Sequence, residues 1–329
     1  MSSAPEASIV PRHPVVADPR KLITIITPCY NEELNVREVH RRVMEVAAGL
    51  PQYRFEHLFI DNASTDRTVE ILREMASGDS GVKVITNARN VGADRSGMHA
   101  FLQAQGDAIG SLVADLQDPP ELLVDMIREW EKGFPIVAAI KNTSEENGLM
   151  YRVRTSYYRL VARLTNVRIL EHFTGFGLYD RSVVEKIRTG FPDPYPYFRG
   201  MIAELGLPIA KVFYNQKRRE RGITSQNFYS LYDLAMLGIT NLSKVPLRLV
   251  TFTGFISAFL SLLLGMFYLV YKLIFWSSFT VGFAPLVLGL FFLGSVQLIA
   301  LGIIGEYVGS IHTLVLKRPL VTEKERINF

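Results

Sequence analysis

The sequence holds one cysteine, Cys29, in 329 residues, so no disulfide can form within the chain and nothing marks an oxidising compartment. Its six histidines include no HExxH pair, which argues against a zinc hydrolase of that design. No GxGxxG follows the first apolar run and no GxxxxGK[ST] occurs, so the usual backbone cradles for a dinucleotide or a triphosphate are absent. Arginine-rich runs with interleaved aromatics are missing too. The net charge of +4 therefore points to acidic lipid headgroups or phosphorylated substrates, with no nucleic acid expected. The stretch 1–20 is rich in Ser, Ala and Pro and lacks an apolar h-region, which reads as a flexible tail and not a signal peptide.

What is present is an alternation. Leu22 to Thr27 is an apolar, β-branched run stopped by Pro28, suited to a buried strand that feeds the polar loop PCYNEE. Asn35 then caps a helix whose Val36, Val39, Val43, Val46, Ala47 and Leu50 recur along one face. Phe55 to Ile60 forms a second strand ending at Asp61 in DNASTD. Thr65 or Asp66 caps a second helix with Val69, Leu72 and Met75 turned inward. Val82 to Thr86, Asp94 to Gln105 and Ala108 to Val113 continue as strand, helix and strand. Such a series predicts an α/β fold, a doubly wound and mostly parallel sheet.

In sheets of this kind ligands bind beyond the carboxyl ends of the strands. Those ends carry Pro28 to Glu32, Asp61 to Asp66, Asn87 to Asn90 and Asp115 to Asp118, four polar clusters on one edge. Each alone is ordinary turn chemistry; together they mark a site. With no backbone phosphate cradle, an anionic diphosphate needs a bridging cation. Asp115 and Gln117, at alternate positions of an extended chain, offer hard oxygen donors suited to Mg2+ or Mn2+. Asp118, before Pro119 and Pro120, either joins this cluster or caps the helix that starts near Glu121.

PCYNEE, DNASTD, ADLQDPPE, IGEYVG and KRPL, in that order along almost the whole chain, resemble the inverting family 2 glycosyltransferases of the polyisoprenyl-phosphate type. That group contains dolichol-phosphate-mannose synthases and bacterial undecaprenyl-phosphate glucosyltransferases. The resemblance implies a GT-A catalytic domain in which Pro28, Tyr30, Glu32, Asp61 and Asn62 contact a nucleotide-sugar donor, with a UDP-sugar, UDP-glucose first, as the donor by family frequency. It makes Asp115 the second acid of a D-x-D motif and Gln117 a further metal contact, with Asp115 and Asp118 the catalytic acids. It also implies tetramer assembly. The chain departs from the pattern at Val113, where relatives place the first acid; at Gly175, where they often carry an acid; and at Ser225, which replaces a lysine. The basic stretch Lys217, Arg218, Arg219 and Arg221 resembles the family's loop over the donor diphosphate, with Arg219 in contact, and a basic run beside a membrane is equally drawn to anionic lipid.

Lys141, Arg152 and Arg154 flank a polar loop and form a cluster able to hold a lipid phosphate, since guanidinium forks match phosphate oxygens. Leu249 to Tyr271 lacks charge over about 23 residues, roughly 35 Å of helix against a hydrocarbon core of about 30 Å. Phe283 to Ile304 supplies a second span. Lys244, Arg248, Lys317 and Arg318 flank the same ends, which puts both termini and the catalytic domain in the cytoplasm and the chain in the inner membrane as a multi-pass protein. Phe228, Leu231, Leu234, Ala235 and Ile239 form the stripe of an interfacial helix. The expected division is tail 1–20, catalytic domain 21–227, interfacial helix 228–246, transmembrane hairpin 247–305 and cytoplasmic segment 306–329. The expected activity is inverting sugar transfer from a nucleotide sugar to polyprenyl phosphate. The alternatives are transfer to another membrane lipid or glycan, and a non-catalytic nucleotide-sugar-binding membrane protein.

Overall fold

The computed structural model describes residues 18–143, 170, 172–191, 193, 196–216, 244–275, 283–316 and 318–329. The first half alternates as the spacing predicts: β1 (Leu22–Cys29), α1 (Val36–Ala48), β2 (Arg54–Asp61), α2 (Thr68–Gly78), β3 (Val82–Asn87), α3 (Ala93–Gln103) and β4 (Ala108–Ser111). Then follow α4 (Leu123–Glu131), β5 (Ile136–Thr143), β6 (Phe173–Asp180), α5 (Arg181–Gly190), α6 (Phe198–Glu204) and β7 (Ile209–Asn215). Two long helices, α7 (Val245–Ile274) and α8 (Phe283–Val315), precede a last strand, β8 (Glu323–Ile327).

The strands form one sheet in the order β7-β5-β6-β4-β1-β2-β3-β8. β1 pairs in parallel with β2 and β4, β2 with β3, and β5 with β7, while β6 and β8 run antiparallel to their neighbours. The mostly parallel α/β sheet is as expected. Its central strands are apolar on both faces because helices cover both. Ile23, Ile25, Phe59 and Val84 face a core closed by α1, α2 and α4. Ile26, Leu58, Ile60 and Ile85 face a second core beneath α3, α5 and α6.

Local details differ from the sequence reading for physical reasons. α2 buries Thr68, Ile71, Leu72 and Ala76; Val69 and Met75 are only half-buried. Thr68 takes the inner position because its hydroxyl donates to Asp66 Oδ1 (2.5 Å) and accepts from Glu32 N (2.9 Å), so its polar atom is satisfied there. Asn35 precedes α1 but makes no capping bond; its amide donates to Glu32 Oε2 instead, at 2.6 Å. β4 ends at Ser111, short of Val113, and the chain turns away after Leu112 N donates to Ile26 O.

Gly177 marks a tight approach. A Cβ there would lie 2.5 Å from Val137 O on the paired strand β5, a backbone atom that cannot rotate away. Gly177→Ala is expected to destabilise the fold by about 2 kcal/mol, the cost of forced overpacking, read as a lowered midpoint of denaturant unfolding. Gly175, also on β6, has φ +102°, the left-handed region in which glycine is at home. That conformation is the local reason for glycine where an acid was expected.

α7 and α8 are each long and apolar enough to cross a membrane, through Val245–Phe267 and Phe292–Val315, and neither window is buried against the rest of the chain. Both outrun the expected hairpin bounds of 247–305. α8 continues past Ile304 through Glu306 to Val315. The interfacial helix expected at 228–246 lies outside the described residues apart from 244–246. β8 was not anticipated. It returns the chain, after both long helices, to the edge of the same sheet that began at Leu22.

Candidate active site

Four loops leave the carboxyl ends of β1 to β4 on one edge, and the first two are laced together. Asn31 N donates to Ser64 Oγ (2.9 Å) and Asn31 Oδ1 accepts from Thr65 N (2.8 Å). Glu33 N donates to Asp66 Oδ2 (3.2 Å), and Arg67 N donates to Glu33 Oε2 (3.0 Å). This reciprocal pattern explains why both loops are rich in Asn, Asp, Ser and Glu. Three residues with left-handed backbones sit in the edge loops: Asn31 (φ 55°), Ala63 (φ 61°) and Leu116 (φ 57°). Strain of this kind in non-glycine residues collects at functional sites.

Asp61 is a buried acid of the edge, 1% exposed. Its Oδ2 accepts from Ser64 N at 3.0 Å, while its Oδ1 is buried with no hydrogen-bond partner among the described residues. Burial raises its pKa, against the Ser64 hydrogen bonds that lower it. An orphaned carboxylate oxygen calls for a donor from outside the chain. Pro28, Tyr30 and Glu32 lie on the neighbouring β1 end, Tyr30 exposed and Glu32 half-buried.

Asn62, expected as a donor contact, is 4% exposed, and its side chain joins loops: Oδ1 accepts from Asn87 Nδ2 (3.1 Å) and Val91 N (3.0 Å), and Nδ2 donates to Asn90 Oδ1 (3.0 Å). With these atoms engaged inside the protein, Asn62 shapes the edge from beneath.

The acidic turn also differs from the expected extended chain. Leu116 is left-handed and Asp115 Oδ1 accepts from Gln117 N at 3.2 Å, which folds Asp115 and Gln117 into an Asx-type turn. Val113, before it, is 43% exposed, so it is not the buried end of β4. Asp118 caps no helix: the short 3-10 turn Pro120–Leu122 starts after Pro119. Asp118 is instead 3% exposed and accepts from Tyr214 Oη at 2.5 Å and Gln216 Nε2 at 3.4 Å. Burial raises the Asp118 pKa, Tyr214 and Lys141 oppose that, and Asp115 adds to it. The fold thus brings Asp115, Gln117, Asp118 and Lys141 to one place although β5 and β7 are remote in sequence. Tyr214 was visible only as the residue before a basic run, and no local signal tied it to Asp118.

No group of three His, Cys, Asp or Glu suited to a metal occurs among the described residues. The donor set is smaller, one half-buried carboxylate with Gln117 in the same turn and Asp118 beside it. Mg2+ is commonly held by one or two carboxylates together with substrate phosphates, so these residues fit a cation that arrives with a diphosphate.

The pattern of family 2 glycosyl transferases matches residues 24–188. Over 298 residues the chain is 32% identical to the SfII prophage-derived bactoprenol glucosyl transferase of Shigella flexneri, covering 90% of this chain and 96% of that protein. The chain belongs to glycosyltransferase family 2. It is also 32% identical over 299 residues to an uncharacterized glycosyltransferase of Synechocystis sp., covering 91% of this chain and 93% of that one. Among solved structures, glucosyl-3-phosphoglycerate synthase from Mycobacterium tuberculosis superimposes with a TM-score of 0.48 at 19% identity, covering 67% of this chain and 78% of that one. Of the site residues expected for this glycosyltransferase, Arg152, Arg154 and Arg219 lie outside the described residues, as does Ser225.

Proposed function

We propose that this glycosyltransferase moves a sugar from a nucleotide-sugar donor to polyprenyl phosphate at the cytoplasmic face of a membrane, with inversion at the anomeric carbon. The observation that carries the reading is the single edge on which the orphaned Asp61 oxygen and the Asp115–Gln117 turn meet, in a chain that continues into two apolar helices. Relatives that bear the name bactoprenol glucosyl transferase support the lipid acceptor.

In this reading the nucleotide base lies between the β1 and β2 loops and gives a hydrogen bond to Asp61 Oδ1, with Pro28, Tyr30 and Glu32 around it. Asp115 and Gln117 would hold Mg2+ or Mn2+, which would neutralise charge on the departing nucleoside diphosphate. Lys141 lies beside Asp118, where its ammonium meets an incoming phosphate; Arg152 and Arg154 are assigned to the same anion, and Arg219 to the diphosphate. The acceptor is a phosphate monoester, already ionised at neutral pH because its second pKa is near 6. Its oxygen attacks the anomeric carbon while the bond to the diphosphate breaks, and no strong general base is required. Asp118, tied to Tyr214, holds the floor of the site on which Asp115 turns.

β8 supports the bilayer arrangement in this reading. A strand paired to β3 must lie on the same side of the membrane as the rest of the sheet, so the chain between β7 and β8 crosses an even number of times. Two spanning helices satisfy this. Basic residues at Lys244, Arg248 and Arg318 support the cytoplasm as that side. UDP-glucose is the first donor to test. Membranes bearing the protein, given a panel of radiolabelled nucleotide sugars and polyprenyl phosphate, are expected to release label into the organic extract for one donor. No lipid label from any donor, with label instead on a glycan, would overturn the acceptor assignment.

A further inference from the structure

The segment that follows α8 does more than end the chain. Just past Val315, Pro319 O accepts from Arg95 Nη2 at 2.9 Å, and Arg95, on the first turn of α3, is 9% exposed. Thr322 O then accepts from Ala88 N at 2.8 Å. β8 continues antiparallel to β3, with Asn87 opposite Glu323 and an irregularity in the register between Thr86 and Asn87. Glu323 is paired with His99 on α3. At the far end, Asn328 Nδ2 donates to Ala76 O (2.7 Å) and Val82 O (2.9 Å).

These contacts bracket one loop, residues 87–92, on both sides. From within the sheet it is held by Asn62, which bonds Asn87, Asn90 and Val91. From the sheet edge it is held by the chain returning from the membrane, through Ala88 and the base of α3. Asn62 directly follows Asp61, whose Oδ1 awaits a partner. A shift of the loop therefore moves Asn62, and with it Asp61. A buried guanidinium is costly to place, and this one reaches a backbone carbonyl on the segment that follows α8.

We propose that residues 319–327 are a positioning element of the donor site: Arg95 and β8 fix the 87–92 loop against Asn62, so that nucleotide affinity depends on the strand that follows the hairpin. The proposal rests on the donor-site reading above and adds Arg95 as a positioning residue. It also makes donor binding sensitive to how α8 is seated.

The test uses the full-length chain in nanodiscs, with wild type, Arg95→Met and Arg95→Lys compared. UDP and GDP are titrated without acceptor, and donor KM and kcat are then measured with UDP-glucose and polyprenyl phosphate. Arg95→Met is expected to weaken nucleotide binding and raise donor KM about tenfold, with kcat within twofold of wild type and amide exchange at Ala88 and Val91 accelerated. Arg95→Lys should recover part of the affinity. If Arg95→Met does not fold, His99→Ala, which releases Glu323 from α3, is expected to raise donor KM about threefold by the same route. Equal nucleotide affinity in wild type and the folded variants, or a fall in kcat at constant KM, overturns the proposal. Wild type that binds nucleotide but labels no lipid leaves the positioning result readable from the binding ratios while refuting the acceptor assignment. Binding of neither nucleotide by wild type removes the donor site and the proposal with it.

Discussion

Asp115→Asn is expected to lower kcat/KM by about a thousandfold, comparable to removing a preorganised charge-stabilising group from an active site, while leaving the fold intact. The residue is half-buried at a turn and contributes nothing to either apolar core. Asparagine retains an oxygen to accept from Gln117 N, so the turn and the left-handed Leu116 persist. What is lost, in the proposed reading, is the negative charge that would hold a diphosphate-bound cation. Position 113 is Val, and the neighbouring carboxylate, Asp118, is buried and engaged by Tyr214 Oη. Nucleotide binding followed against Mn2+ concentration should show a weakened cation requirement in the variant with an unfolding midpoint within about 2 °C of wild type. Turnover within tenfold of wild type would remove Asp115 from the reaction.

Acid should destabilise the chain through a buried histidine pair. His57, 1% exposed, places Nδ1 3.1 Å from Nδ1 of His40 and Nε2 2.9 Å from Thr27 Oγ1, and its ring stacks on Phe59. Burial holds the His57 pKa well below 6.5, and His40 adds to the depression. Burial also lowers His40, with Asp79 opposing. Two facing imidazole nitrogens have room for one proton between them. In the unfolded chain both rings take up protons near pH 6.5; in the folded chain His57 does so only at lower pH. The unfolded state thus binds more protons, and stability rises with pH in this window and falls as pH drops from 6.5 toward the depressed folded values. The loss grows as pH falls below 6.5, until the folded ring is protonated as well. Asp61 and Asp118, whose pKa values are raised, shift stability in the opposite sense, so the comparison must be with His57→Gln. Urea unfolding at pH 8, 6.5 and 5 should show a steeper acid loss in wild type than in His57→Gln. Parallel slopes would show that the pair carries no proton linkage.

The parts of the fold legible in the sequence were those with local signals. β1 to β3 are β-branched runs buried on both faces, and α1 carries Val36, Val39, Val43 and Val46 at helical spacing, all four of which are buried. β5 and β7 pair across a long intervening stretch, so their partnership has no local mark. β8 is Glu-Lys-Glu-Arg-Ile, a charged edge strand of the kind that protects a sheet from further pairing, and its composition reads as a solvated tail. At the site, the residue types of the β1, β2 and β4 loops announced a polar edge. The left-handed turn at Leu116, the bond from Tyr214 to Asp118 and the inward use of Asn62 depend on backbone angles and remote strands, which residue spacing does not encode.

The most direct test of the central claim is the structure of the product formed from UDP-glucose and polyprenyl phosphate, read by 31P and 1H NMR of the extracted lipid. The account predicts a phosphodiester in place of the monoester, with a β-linked glucose formed from the α-linked donor. An α-linked product, or a lipid that keeps its phosphate monoester while glucose appears elsewhere, would contradict it.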